Sequence, residues 1–293
     1  MRGRIIKNLS GLYTVEADGK TYECSARGIF RKRKITPLAG DYVEISEVNP
    51  TERRIDEIFE RKNSLLRPPV ANIDILFVVI AAQDPEPDLL LTDKIIAIAE
   101  HNSIEPVICI NKCDIANADE ITEIYKKSNF TVIECSAADN TGIDKIKAIL
   151  ESKTVAFAGA SGVGKSSIIS SLSEELMLKT GDLSERTKRG KHTTRHSELY
   201  KAFGGYIADT PGFSNLDLEK FELIMKENLP DAFSDFIPYY DSCKFKDCTH
   251  IKETGCAVIE AVKNGHISKT RHNSFISMYK QVKDLKEWQL KHN

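Results

Sequence analysis

No part of this 293-residue chain stays apolar for long. Its longest apolar run, residues 75–82, is far shorter than the roughly 20 residues that carry a helix across a bilayer, so a membrane-spanning helix is excluded. The opening MRGRIIKNLS is not followed by an apolar segment of the secretory-leader type, which makes the cytoplasm the expected compartment. Neither sign of charge prevails, because 41 Lys and Arg stand against 43 Asp and Glu. With 41% hydrophobic and 29% charged residues, the composition excludes disordered and fibrous classes. Seven cysteines, an odd number that includes Cys109 and Cys113 in an apolar stretch and its following loop, do not suit a disulfide framework. They fit reduced thiols or a metal.

The net charge of −2 conceals an uneven distribution. Residues 1–41 carry nine Lys or Arg against four Asp or Glu, and residues 263–293 carry seven against two. Basic ends on an acidic middle suggest a polyanionic partner held at two places. Solvated surfaces would read the same way.

Within the first 65 residues, GLYTVEA, an Asp18-Gly19 turn, KTYECSARG and GDYVEISEV read as short antiparallel strands. Tyr13, Val15 and Ala17 share one face, as in a small barrel of the OB type. The intervening RGIFRKRK is basic with one aromatic. Phe30 there either stacks a base while its neighbours meet phosphates, or packs inward above a solvated loop. From Asn72 the pattern becomes α/β. IDILFVVIAA, PVICIN, FTVIECSA and TVAFA are buried-strand runs alternating with helical LLLTDKIIAIAEHN and TGIDKIKAILE, which implies a parallel sheet with ligands at its carboxyl edge. The end of the chain, residues 273–293, has an amphipathic stripe of Phe275, Met278, Tyr279, Val282, Leu285 and Trp288.

GASGVGKS fits the phosphate-loop pattern, with an apolar strand before it and a helical stretch after it. Gly159, Ala160, Ser161, Gly162, Val163 and Gly164 would turn backbone N–H groups toward phosphates, and Ser167 opens the helix behind them. Lys165 would reach the β- and γ-phosphates, and Ser166 would ligate Mg²⁺. In ADTPGFS, Asp209 is placed to hold Mg²⁺ and the Gly212 N–H to sense the γ-phosphate. Thr193 or Thr194, in the polar segment between, would complete the metal site, with Thr194 the favoured choice. In NKCD, which spans Asn111, Lys112 and Asp114, the Asp114 carboxylate can accept from the guanine ring N–H and 2-amino group, while Asn111 reads the other edge. Ser136 and Ala137 of ECSA add a backbone N–H for guanine O6. A Mg²⁺-dependent GTP/GDP site follows.

Cys243, Cys248, His250 and Cys256 offer three thiolates and an imidazole within fourteen residues, enough for a closed structural zinc site. His266 and His272 are the alternative imidazoles.

The motif order NKCD, ECSA, GASGVGKS, HTT, DTPG is a circular permutation of the order in small GTPases. The chain thus resembles the circularly permuted GTPases and, with its flanks, the ribosome small subunit-dependent GTPase A family, RsgA. The resemblance implies a multidomain α/β protein: an OB-like rRNA-binding β-barrel at 1–65, a permuted P-loop GTPase domain at 66–217 and a helical zinc-binding domain at 218–293. It also implies a monomeric GTPase that binds the small (30S) ribosomal subunit and its 16S rRNA late in maturation, is stimulated by the subunit and is released by hydrolysis. Phe213 stands where many regulatory GTPases place a Gln that orients water, so slow intrinsic turnover is expected. His192, Arg195 and His196 are candidate substitutes for that Gln. The competing reading is an RNA-binding module in which GTP sets conformation and hydrolysis is incidental. Permutation joins the switch after DTPG to the C-terminal domain, so loss of the γ-phosphate is expected to reposition that domain.

Overall fold

Five strands at the N-terminal end close on themselves, and a sixth strand, from far along the chain, joins them to the α/β sheet. The computed structural model describes residues 1–9, 11–49, 52–66, 69–180, 197–209 and 223–286, with backbone alone at 173–180 and 209. The barrel strands are β1 (Arg2–Leu9), β2 (Leu12–Ala17), β3 (Lys20–Ala26), β4 (Tyr42–Asn49) and β5 (Glu52–Ile58). They pair in the order β1-β2-β3-β5-β4, and β4 returns to β1 to complete the closure. Alternation explains the inward face, because Tyr13, Val15 and Ala17 are buried with Ile5, Val43, Ile45 and Ile55. Helix α1 (Gly28–Lys32) packs Phe30 into this same core. Of the two readings of RGIFRKRK, the inward one therefore holds for the ring, while Arg31 to Lys34 lie exposed around it.

After a small hairpin of β6 (Ser64–Leu65) and β7 (Val70–Ala71), the chain enters the α/β region. Its strands are β8 (Ile75–Ala81), β9 (Glu105–Asn111), β10 (Thr131–Glu134), β11 (Thr154–Ala158), β12 (Glu198–Ala202) and β13 (Gly205–Asp209). Their spatial order is β10-β9-β8-β11-β13-β12, parallel except for β12. Every residue of β8 and of β11 is buried, as apolar strands covered on both faces must be. Helices α2 (Leu89–His101), α3 (Asp119–Lys127), α4 (Ile143–Leu150) and α5 (Lys165–Thr180) occupy the connections. The chain steps outward from β8 to β9 to β10 and then returns to β11 on the other side of β8. That reversal opens the crevice in which such sheets hold ligands.

The barrel is tied to this sheet. β1 pairs with β12 at Lys7 and Glu198, and Lys201 and the Tyr206 hydroxyl both reach Glu16. Arg4 is buried at the junction. Its guanidinium donates to Thr154 Oγ1 at 2.8 Å and lies over the rings of Tyr42 and Tyr206.

Beyond Leu223 the description resumes with two 3-10 turns (Pro230–Ala232 and Ile237–Ser242), α6 (Ala257–Lys263) and α7 (Lys269–Val282). The helix expected from residue 273 begins four residues earlier. Phe275, Met278 and Val282 of its stripe are buried, Tyr279 and Leu285 pack at the margin, and Trp288 lies outside the described residues. Helix α7 is fastened to α2 through Arg271, which is wholly buried and donates to Asp93 at 3.0 Å and to Asp235 at 2.8 and 3.1 Å. Burial opposes the Arg271 charge, but Asp235 and Asp93 outweigh it and hold the guanidinium ionised. Phe130 and Phe233 line its faces. Among the described residues, no helix is long and apolar enough to cross a membrane.

Candidate nucleotide and metal sites

Register brings the nucleotide motifs to one edge of the sheet. Asn111 ends β9 level with Ala81 of β8, Ala158 ends β11 level with Val78, and Ala156 pairs with Ala208 just before Asp209. Neighbouring strands lie roughly 4.8 Å apart, so β9 and β11, with β8 between them, run about 10 Å apart.

The phosphate loop turns where β11 meets α5. Gly159 has φ 144°, and a Cβ there would sit 2.1 Å from the Val79 carbonyl oxygen, so only glycine fits. Gly164 has φ 96°, and a Cβ on it would lie 2.1 Å from Asn111 Nδ2. Lys165 donates to the Gly159 and Ala160 carbonyls at 2.9 and 2.6 Å, which folds its ammonium over the loop. Burial lowers this lysine to about 8, since carbonyls alone do not offset its desolvation. Ser166 and Ser167 open α5 on an exposed face beside the loop.

Asn111 is 2% exposed, and its amide is shared between motifs. Nδ2 donates to the Val163 carbonyl at 2.8 Å, and Oδ1 accepts from the Ala137 N–H at 3.1 Å. The residue read from sequence as a contact to the far edge of the base here laces the NKCD, ECSA and phosphate loops together. The Ser136 N–H is likewise engaged, by the Thr141 carbonyl at 2.9 Å. Ser171 of α5 donates to the Ala137 carbonyl at 3.3 Å, a positioning contact that no motif signalled. Lys112 adopts φ 66° and reaches the Asp84 carbonyl, and Asp114 is exposed at the edge of the crevice. Thr193, Thr194, Gly212, His192, Arg195, His196 and Phe213 lie outside the described residues. Asp209 is described only as the last residue of β13.

Cys243, Cys248, His250 and Cys256 converge, with their ligand atoms all within 4.8 Å of one another. Cys243 Sγ lies 3.7 Å from His250 Nδ1 and 4.0 Å from Cys256 Sγ, while His250 Nδ1 is 3.4 Å from Cys256 Sγ. Tetrahedral bonds of about 2.3 Å to sulfur and 2.0 Å to nitrogen need edges of nearly this size, so the donor set and its spacing fit zinc. Imidazole orientation is fixed by surrounding groups, with Tyr240 stacked on His250 at 5.0 Å. His272 is not in the cluster; its Nε2 meets the His250 carbonyl at 2.7 Å, one step behind the ligand. His266 borders a separate cavity with Lys127 and Tyr239.

The comparisons agree over nearly the whole chain. Residues 2–55 match the family model of the RsgA N-terminal domain, and residues 58–219 match that of the RsgA GTPase. A protein of Caldanaerobacter subterraneus subsp. tengcongensis named small ribosomal subunit biogenesis GTPase RsgA is 43% identical, over 97% of this chain and 96% of its own. One of the same name from Alkaliphilus metalliredigens is 42% identical, over 96% and 98%. Among solved structures, YjeQ from Thermotoga maritima superposes with a TM-score of 0.80 at 32% identity, covering 97% of this chain and 99% of its own. YloQ, described as a circularly permuted GTPase, superposes at 0.79 with 36% identity, over 97% and 96%. By these matches the chain belongs to the RsgA family of circularly permuted GTPases.

Proposed function

We propose that this protein hydrolyses GTP in the late maturation of the small ribosomal subunit, as a cytoplasmic monomer that binds 16S rRNA and is stimulated by the subunit. The observation that carries the reading is the Asn111 amide, bonded at once to the phosphate loop and to the ECSA loop. That contact supports reading motifs far apart in the sequence as one guanine-nucleotide site. The relatives' names supply the ribosomal connection.

In this reading Asp114 accepts from the guanine N–H groups, and adenine leaves that carboxylate unpaired. The phosphate-loop N–H groups and the start of α5 take the polyphosphate, and Lys165 exchanges its two loop carbonyls for phosphate oxygens. Ser166, Asp209 and Thr194 or Thr193 would hold Mg²⁺, which supplies charge neutralisation to the transferred phosphoryl group. Cys243, Cys248, His250 and Cys256 would hold a structural zinc ion. We place the domain limits at 1–65, 66–217 and 218–293.

The test is phosphate release from GTP and ATP, with and without purified small subunits, at two salt concentrations. GTP-selective stimulation that weakens with salt is the expected result. Slow turnover that subunits leave unchanged, despite measurable binding, would overturn the catalytic role.

A further inference from the structure

We propose that the cleft between α1 and the end of β5 is a binding site for one unstacked nucleotide of a single-stranded RNA segment; this rests on the rRNA-binding reading above. The cleft encloses about 590 Å³ and is walled by Ile29, Ile35, Ile58 and Phe59, with Arg27 and Arg33 at its margin. That volume lies within the roughly 300–1,000 Å³ of small-ligand sites.

Three observations select a nucleotide. Phe30 also lines the cleft but is buried in the barrel core, whereas Phe59 is only half-buried, with the Arg2 guanidinium 4.8 Å from its centroid. Ring and guanidinium together make a platform on which a base stacks whatever its identity. Next, among the described residues Arg27, Arg31, Lys32, Arg33 and Lys34 form no salt bridge with a carboxylate; Asp56 is held below the usual carboxylate range by the Ser46 side chain and by Arg54, which donates to its Oδ1 at 3.1 Å, with Arg27 a lesser contributor. Arg61, by contrast, is committed to Asp41 at 2.7 and 2.8 Å. Five cations left without ion pairs along one short segment complement a phosphate backbone passing the mouth. Finally, Asp56 and Glu57 also line the cleft. Two carboxylates repel an acidic peptide, yet Glu57, and the lone pairs that Asp56 does not give to Arg54 and Ser46, accept hydrogen bonds from a base amino group or a ribose 2′-hydroxyl. The occupant is therefore a polyanion outside the cleft and a hydrogen-bond donor with an aromatic face inside it.

The experiment uses the full chain loaded with GDP and follows fluorescence anisotropy of a labelled eight-nucleotide single-stranded RNA of mixed sequence. A duplex RNA and a polyglutamate peptide of matched charge are competitors. The variants are Arg27→Gln/Arg33→Gln and Phe59→Leu, each checked for unchanged melting temperature and GDP affinity. The double variant is expected to weaken single-strand binding about tenfold and to reduce the salt slope by about 1.4, at roughly 0.7 per phosphate contact. Phe59→Leu is expected to weaken it about fivefold or more with the slope unchanged, since stacking releases no counterions. Single-strand binding that both variants leave intact, or preferential displacement by duplex or polyglutamate, would overturn the proposal. Stimulation of wild-type hydrolysis by small subunits is measured separately. Its absence would sink the functional reading, whereas unaltered RNA binding by the variants would sink the cleft alone.

Discussion

Asn111 Nδ2 donates to the Val163 carbonyl across 2.8 Å, joining the end of β9 and its NKCD motif to the GASGVGKS loop. Asn111→Asp removes this donor and sets a carboxylate against a buried carbonyl. Leaving such a group unsatisfied costs about 1–3 kcal/mol. GTP and GDP affinities should therefore fall together, at least about tenfold, in titrations with a fluorescent nucleotide. An effect on GTP alone would mean that Asn111 serves the γ-phosphate.

The space beside Gly164 is closed by that same amide. Gly164→Ala forces its methyl group toward Asn111 Nδ2, from a backbone conformation that alanine disfavours. Nucleotide affinity should drop by more than tenfold and the melting temperature by a few degrees. A combined Gly164→Ala/Asn111→Ser variant should recover part of the stability loss, because the colliding amide is gone.

In its proposed role Lys165 meets phosphate as an ammonium, and burial lowers it to about 8. Phosphate oxygens favour the charged form, so binding raises this value and takes up a proton. GDP affinity should be nearly level below pH 7.5 and fall toward about tenfold per pH unit above 8. Lys165→Ala should bind weakly with a flat profile from pH 7 to 9. Calorimetry in buffers of different ionisation enthalpy reports the proton directly.

The Cys3His cluster should contain one zinc per chain by elemental mass spectrometry, and Cys256→Ser should lose it. A metal held by ligands that all fall within fourteen residues would supply its folding energy locally. Hydrogen exchange should accelerate around residues 237–268 in that variant while β8 and β11 remain protected. Equal acceleration throughout would show that the metal supports the whole molecule.

Arg271→Met leaves Asp93 and Asp235 buried without their cation, a loss of about 3–5 kcal/mol. Burial already raises Asp93 with the arginine present, and removing the cation raises it further. A carboxyl whose folded pKa exceeds its unfolded value penalises folding at neutral pH and ceases to do so as pH falls. The stability gap from wild type, measured by urea denaturation, should therefore narrow between pH 7 and 5. The same clasp bears on the expected movement of the C-terminal region with nucleotide state. Any such movement must carry α2 along or separate these buried charges.

Much of this architecture can be read from side-chain patterns. The apolar runs of β8, β9 and β11 announce a covered parallel sheet, and the alternation of Tyr13, Val15 and Ala17 announces a barrel face. Strands β1 and β5 are harder to see, because RGRIIKNL and ERRIDEI carry charges used in docking and cross-strand pairing; Arg4, buried against Thr154, is one. The nucleotide residues are legible as motifs, yet spacing alone cannot tell that Asn111 ties loops together. Nor does any local signal mark Arg271 as buried, since its partners lie 36 and 178 residues away in sequence. Phe30 fits either of two roles until the barrel floor that it closes has been formed.

The position of β11 between β8 and β13 also fixes a sequence of events during synthesis. A growing chain completes the barrel strands first, then lays down β8, β9 and β10. It must wait for residues 154–158 before the other edge of β8 is covered. Until then the most apolar strand of the protein, ILFVVIA, presents an open edge, the kind of surface that recruits foreign strands. The permuted order thus makes the nascent chain vulnerable to aggregation over that interval, and the NKCD loop is made long before the GASGVGKS loop to which Asn111 ties it.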